Sequence, residues 1–586
     1  MMITDILFRH KDNIKCAMKF ADEEITYKEL YSRVMEHKDK LDVVPNKANN
    51  IAIYLPNSID YVVAYFTIVF LKKIIVPFEK SISSAMLESV VRYCEIQLII
   101  TDSEGYEKLK ELLIKKSFLV RIYLLDKGEV KIIGEGDSVK VSEPEKECEE
   151  DDDVAIMLHT SGTTSNPKRV MLTHKNLMSN VIAHVQSLGL NHYDCTLIVL
   201  PMCFGYCNTS QLLVHLYLGA RIVIYKGEFF SRKFIQILEK EKCTNTTCVP
   251  SMLMLIATGK QKKIIFPNLK YICFGGGYMA IEQLKMLMNI FPQTGFVQTY
   301  GQTEAGPRVT CLLPEDSIRK IGSVGKPIPG VKVKIVNEQG NETQYEESGE
   351  IIVCGNSIMK GYYKQEEITS KTIKDGWLYT GDIGYFDREG FLYLVGRKRN
   401  VIISGGLNIY PEEIEEVIQR IPEVKEVVVY PEKHSLLGEV PVAQVVLKKE
   451  QAIKAKDVIE FAQIHLETHK VPSKVLFCNS LEKTMTGKIR RKNFMYSKEN
   501  LKKIIAKVCR LELSEDEIIN CLSKEECDLK EELGFDSLIM VELVVEIETQ
   551  YNIEFDMNEL DINVLKKFTS LRKLVEKYIG ESQNGM

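Results

Sequence analysis

The sequence has no CxxC pair among its 15 cysteines, and Cys203 and Cys207 have no matching His or Cys pair nearby. A paired-ligand zinc site is therefore not expected, and reduced, mostly buried thiols are. The start, MMITDILFRHKDNIKC, lacks the charged-then-apolar layout of a secretory signal. The longest apolar stretch, Tyr61 to Leu71, stops at Lys72 and Lys73, well short of the ~20 residues that cross a bilayer. Charge of one sign is missing too: 76 Lys and Arg stand against 81 Asp and Glu, and the net charge of -5 gives no general reason to bind nucleic acid. No internal repeat or low-complexity tract is evident. These absences predict a cytoplasmic protein with no membrane span and no nucleic-acid partner.

What is present is a long globular chain. Its 586 residues are 45% hydrophobic and 27% charged, and at about 100–200 residues per domain they imply three or more units. Between Asn50 and about Phe391, β-rich runs (NIAIYLP, KIIVPF, QLIIT, ARIVIY, YICFGGG) alternate with segments of helical period, the pattern of an α/β domain. The acidic run Glu143 to Asp153 reads as a solvated loop. After Gly396 a basic turn opens a shorter α/β segment that ends near Arg491. Charge then divides sharply. From Leu481 to Arg510 there are ten Lys and Arg against two Asp and Glu, whereas from Leu511 to Leu560 there are sixteen Asp and Glu against two Lys. Helix-period apolar residues in the acidic stretch (Leu538, Val541, Val544, Val545) predict a small helical bundle. The domains are therefore expected at 1–396, 397–497 and 498–586.

The first chemical motif is TSGTTSNPK, Thr160 to Lys168, after the apolar run VAIML. Thr160, Ser161, Thr163 and Thr164 around Gly162 let backbone N–H groups close on an anion, and Lys168 adds positive charge for phosphate. The spacing is not that of a Walker P-loop, and taken alone such a run is equally an ordinary polar loop. Four further segments follow: YGQTE (Tyr300 to Glu304), YTGDIG (Tyr379 to Gly384), GRKRNVIISGGLNIYPEEIE (Gly396 to Glu415) and KTMTGKIRR (Lys483 to Arg491). In order and spacing they resemble the acyl-adenylate-forming superfamily of acyl-CoA synthetases, firefly-type luciferases and adenylation domains of nonribosomal peptide synthetases. The resemblance covers nearly all of residues 1–497.

The resemblance implies a multi-sheet adenylation domain followed by a small mobile α/β subdomain. It also implies a reaction in which a carboxylic acid attacks the α-phosphorus of ATP, where positioning and electrostatics do most of the work. The Thr160 to Lys168 loop would hold the β- and γ-phosphates, Glu304 would bind Mg2+, and Thr303 would donate near the α-phosphate. Asp382 would accept both ribose hydroxyls, Arg397 would assist at ribose or phosphate, and Tyr300 would stack near the adenine. The run Gly275, Gly276 and Gly277 would form a wall between nucleotide and acyl pocket, although a plain tight turn is the alternative reading. Lys488 would place an ammonium between the attacking carboxylate and the α-phosphate. Lys483, Arg490 and Arg491 read as solvated surface. Arg399 occupies the hinge position, expected to be exposed.

The segment LGFDSL, Leu533 to Leu538, resembles the attachment site of acyl and peptidyl carrier proteins. Ser537 would carry 4'-phosphopantetheine at a helix N-terminus within a four-helix carrier bundle, with an ordinary N-cap at Asp536 or Ser537 as the bland alternative. A phosphopantetheinyl transferase and downstream synthetase or carrier proteins are the implied partners. In amino-acid-activating relatives an Asp follows an aromatic residue in the pocket segment and pairs with the substrate ammonium. Here LPMCFGYCNTSQLL puts Phe204 and Gly205 there, which favours an aryl or fatty acid over an α-amino acid. Tyr206, Asn208 and Gln211 are further pocket candidates. An acyl-CoA synthetase with an accessory tail, an amino-acid-adenylating module and a scaffold that has lost catalysis are the competing readings.

The opposite charges of 481–510 and 511–560 generate one prediction. Acyl transfer to a detached 498–586 module should weaken as salt rises, because exposed charge pairs are screened. A transfer rate independent of ionic strength would refute it.

Overall fold

A computed structural model describes the chain except residues 43–48, 81, 83, 114–118, 134–152, 160–167, 258–262, 278, 405–406, 435–436, 449–452, 482–497, 510–512, 524–526, 552–554, 556–564 and 576–586. It divides into two units, Met1–Arg490 and Arg491–Met586.

The first unit is a mixed α/β assembly. The predicted β-rich runs form strands, and three of them, Ile74–Pro77, Asn50–Ile53 and Leu98–Thr101, are parallel neighbours in an eight-stranded sheet. Each is buried at every position, as a parallel sheet covered on both faces requires. The apolar stretch that is too short for a bilayer becomes the core helix Ile59–Phe70, whose Ser58 accepts a hydrogen bond from the Tyr61 N–H as its N-cap. No helix among the described residues is long and apolar enough to cross a membrane.

A nine-stranded sheet carries Asn245–Cys248, Tyr271–Gly275 and Gly295–Gln302 as parallel neighbours, with Gly306–Leu312 antiparallel beside the last. A third sheet of five strands includes Gly349–Gly355, Trp377–Phe386 and Leu392–Arg397. Beyond it, Ile402–Ser404, Leu407–Ile409, Val424–His434, Gly438–Leu447 and Lys474–Phe477 make a separate five-stranded sheet. This last sheet has its own apolar core, around Ile402, Ile414, Val429, Val445 and Val458.

The second unit is helical, with Lys498–Val508, Glu515–Cys521, Leu529–Leu533, Ser537–Tyr551 and a stretch at 568–575 around one apolar core. The buried positions of Ser537–Tyr551 include Ile539, Met540, Leu543, Val544 and Ile547, one helical stripe. Val541 was expected in that stripe and is instead 60% exposed, because it falls on the opposite face from Leu543 and Ile547. Cys521 and Cys527 lie 3.5 Å apart, with Glu532 3.4 Å from Cys521. That is three potential ligand atoms rather than the four of a structural zinc site.

Candidate functional site

Strand pairing builds the first half of the site. Asp382 in Trp377–Phe386 stands directly opposite Arg397 at the end of Leu392–Arg397. The pairing gives an ion pair of 2.7 Å between Arg397 Nε and Asp382 Oδ1. The Tyr300 hydroxyl, from the nine-stranded sheet, donates to Asp382 Oδ2 at 2.8 Å. Gly381, at φ +70°, turns the chain so that the Asp382 N–H reaches Thr380 Oγ1, and Thr380 Oγ1 in turn donates to the Ile351 carbonyl. Asp382 is 5% exposed and Tyr300 6%. Burial, and then the Asp382 charge, push the Tyr300 phenol well above its usual range, so it stays a donor. A carboxylate offers about four lone-pair positions. With Arg397 at one oxygen and Tyr300 at the other, Asp382 is held as a carboxylate acceptor of the kind a ribose diol needs, so its setting fits ATP.

The second half gathers around Tyr362, which sequence reasoning missed. Its hydroxyl donates to Glu304 Oε1 at 2.9 Å, and Lys168 Nζ lies 4.8 Å from the centre of its ring. Tyr362 belongs to the short strand Gly361–Tyr362, paired with Arg169–Thr173 directly after Lys168. Glu304 sits in the turn between Gly295–Gln302 and Gly306–Leu312, and its carbonyl accepts the Met359 N–H at 2.9 Å. Thr303 shares that turn and is half-buried. Glu304 Oε2 has no hydrogen-bond partner among the described residues, and a hard carboxylate oxygen of this kind fits Mg2+. Thr160, Ser161, Gly162, Thr163 and Thr164, which precede Lys168, lie outside the described residues, as does Lys488.

At the expected acyl pocket, the Gly275–Gly277 run begins at the end of the parallel strand Tyr271–Gly275. A side chain on Gly275 would meet Thr299 at 2.6 Å and the Tyr206 hydroxyl at 3.2 Å, so the backbone is pressed against those groups. Gly276 adopts φ +74° with open space where a side chain would point, and Gly277 makes only an ordinary contact with Pro250. Tyr206 Oη and Thr299 Oγ1 share a hydrogen bond of 2.9 Å. Phe204 is half-buried and precedes the short helix Gly205–Cys207. Asn208 and Gln211 are fully buried in a π-turn, Asn208–Leu213, a geometry that recurs at functional sites. A Cβ on Gly205 would come within 3.0 Å of Leu158 Cδ1.

Arg399 is exposed, in the 3-10 turn Lys398–Asn400. Ser537 is the first residue of helix Ser537–Tyr551, and the Asp536 carboxylate caps that helix by accepting the Ile539 N–H at 2.8 Å. The backbone position fits a phosphodiester at a helix N-terminus.

The family AMP-binding enzyme matches residues 9–363, the AMP-binding enzyme C-terminal domain residues 413–488, and the phosphopantetheine attachment site residues 499–576. Similar proteins include a 2-succinylbenzoate–CoA ligase of Geobacillus sp. (strain WCH70), 29% identical over 80% of this chain and 91% of its own length. An oxalate–CoA ligase of Arabidopsis thaliana is 31% identical over 75% of this chain and 87% of its own. The o-succinylbenzoate CoA synthetase of Bacillus subtilis, solved in complex with its acyl-adenylate intermediate, superposes with TM-score 0.73 at 26% identity, covering 85% of this chain and 98% of that one.

Tyr362 can be tested directly. With Glu304 as the magnesium ligand, Tyr362→Phe should raise the Mg2+ concentration for half-maximal ATP–pyrophosphate exchange about 10-fold, the usual cost of losing an outer-shell partner. An unchanged Mg2+ titration would leave Tyr362 with a packing role alone.

Proposed function

The chain belongs to the AMP-binding enzymes, AMP-forming acid–thiol ligases, with a phosphopantetheine attachment domain at its C-terminal end, and from that premise we propose a loading module. It activates a carboxylic acid lacking an α-amino group as the acyl-adenylate and passes the acyl group to a thiol on Ser537 or on a partner carrier. The observation that carries the reading is the pair of held carboxylates in one unit, Asp382 under Tyr300 and Arg397, and Glu304 under Tyr362.

In this reading Asp382 accepts the ribose hydroxyls of ATP while Arg397 and Tyr300 keep its oxygens in place. Tyr300 acts through Asp382 as well as beside the adenine. Glu304 holds Mg2+, which when bound neutralises phosphate charge. Lys168, with Thr160, Ser161, Gly162, Thr163 and Thr164, faces the phosphates, and Thr303 donates near the α-phosphate. Lys488 draws the attacking carboxylate toward the α-phosphorus by its positive charge. Gly276 and Gly277 let the backbone close against the ligand, and Arg399 serves as the hinge between 1–396 and 397–497. Phe204, Gly205 and Asn208 border the acyl group. The prosthetic group on Ser537, installed by a phosphopantetheinyl transferase, supplies the accepting thiol. Downstream synthetase or carrier proteins would take the loaded acid.

Gly205 offers no carboxylate to an α-ammonium, and the acids in the relatives' names, 2-succinylbenzoate and oxalate, carry no amino group. Transfer to free coenzyme A is the second reading, favoured by those same names. Coexpression with a phosphopantetheinyl transferase and intact-mass analysis separates the two.

Two outcomes are expected. Ser537→Ala should keep full ATP–pyrophosphate exchange and lose all covalent acyl loading, since the serine supplies only the attachment oxygen; loading of the alanine variant would exclude the carrier assignment. In exchange assays, at least one acid without an α-amino group should outperform all twenty standard amino acids, because a buried ammonium would find no counter-charge at Gly205. A standard amino acid as best substrate would overturn that reading.

A further inference from the structure

Arg308 lies four residues beyond Glu304, on the strand Gly306–Leu312. It is 0% exposed, and its Nε, Nη1 and Nη2 have no hydrogen-bond partner among the described residues. Buried arginine is ordinarily matched by a carboxylate, and an unmatched guanidinium is among the most costly groups a fold can enclose. The surroundings do not discharge it. Helix His174–Leu188 and the π-turn Asn208–Leu213 pack against the Arg308 strand and against each other. From them come further buried polar atoms without partners: His184 Nδ1, Asn208 Nδ2, Thr209 Oγ1 and Gln211 Oε1, with Asn180 Oδ1. Asn180 Nδ2 donates to the Arg308 carbonyl at 2.8 Å, which anchors the backbone and leaves the guanidinium unaddressed.

Burial first, and then the nearby Arg308 charge, hold the His184 imidazole well below its usual range, so His184 is neutral and adds no second cation. Arg308 also lies close enough to Tyr206 to stabilise its phenolate electrostatically, although burial dominates and keeps that phenol protonated. Tyr206 in turn shares a hydrogen bond with Thr299, and both press on Gly275 at the head of the glycine run. The unmatched cation therefore belongs to the same interior as the acyl-side residues. Among these unpartnered atoms the one formal charge is the positive charge of Arg308.

We propose that Arg308 is the specificity-determining residue for a second carboxylate on the substrate, so that the acid activated is a dicarboxylic acid whose far carboxylate accepts from the guanidinium fork and from Asn208 Nδ2. The inference rests on the ligase reading above and narrows it from any aryl or alkyl acid to one with an anionic far end. A planar carboxylate matches the fork in a two-point contact that a neutral amide cannot reproduce.

The test is ATP–pyrophosphate exchange by the full chain with aliphatic and aromatic dicarboxylic acids, each against its own monoamide, a near-isostere lacking the second charge. The best dicarboxylate should exceed its monoamide in kcat/KM by about 100-fold or more, the discrimination expected when a buried polar site is left unpaired. Arg308→Met should erase that gap by lowering the dicarboxylate, and Arg308→Lys should restore part of it. Thermal unfolding of the unaltered chain gives a readout independent of turnover and of whether the variants fold: the dicarboxylate should raise Tm and its monoamide should not. Monoamides or simple monocarboxylates that equal the dicarboxylates, a gap that survives Arg308→Met, or a Tm indifferent to the second carboxylate would each overturn the assignment and leave the ligase reading standing, with ordered water as the partner of Arg308. Exchange with no acid at all would instead overturn the ligase reading itself.

Discussion

A buried carboxylate has to be held by donors, and Asp382 is where that requirement organises the molecule. At 5% exposure its charge is tolerable only because Arg397 and Tyr300 reach it, one from the neighbouring strand of its own sheet and one from the nine-stranded sheet. Arg397 is also the last residue before the turn that leads to the sheet of 402–477. A single anion thus fixes the relation of two sheets at the place where the chain leaves for a third. Breaking a fully buried pair costs about 3–5 kcal/mol. Here the figure must be discounted, because the Arg397 side chain is 41% exposed and screened by water. Tyr300, wholly enclosed, is the stronger of the two constraints.

The same logic recurs at Glu304, with a different sheet supplying the donor. Tyr362 arrives from the edge of the eight-stranded sheet, and its strand partner begins immediately after Lys168. Burial and the Glu304 charge both raise the Tyr362 phenol, so the hydroxyl remains a donor throughout the working pH range. Lys168, Tyr362 and Glu304 come from three separate segments. Any shift of the eight-stranded sheet against the nine-stranded one would carry Lys168 and Tyr362 together away from Glu304.

Much of this was legible in the sequence where one residue type does one job. The runs NIAI, IIVP and LIIT announced strands of an α/β domain because they are short, β-rich and set between segments of helical period, and the fold makes them parallel and fully buried. Asp382, Arg397, Tyr300 and Glu304 could be singled out from their motifs. Their partnerships could not, since the pairing of Asp382 with Arg397 depends on a register that shifts at Ile383 and Gly384. Tyr362 sits in GYYKQ, which has no spacing that distinguishes a carboxylate-holding phenol from a core tyrosine. The π-turn at Asn208–Leu213 likewise leaves no periodic mark, because its one extra residue per turn changes hydrogen bonds before it changes composition. Val541 shows the converse failure: apolar residues crowded around a helix do not say which of them face inward.

Arg308 did leave a mark, an arginine inside the run GPRVTCLL, where the neighbouring strand positions are small or apolar. Its meaning needed the fold, since an arginine at that spacing could as easily have reached solvent or an acidic neighbour. With both alternatives absent among the described residues, the proposed role of Arg308 would make the polarity of the acyl side the reverse of one built for an amino acid. On that reading Gly205 would withhold the anion that an ammonium needs, and Arg308 would add a cation that an ammonium has to approach at low dielectric. Either feature alone disfavours an α-amino acid; together they turn a missing attraction into a repulsion, which is the more effective way to reject a competing substrate.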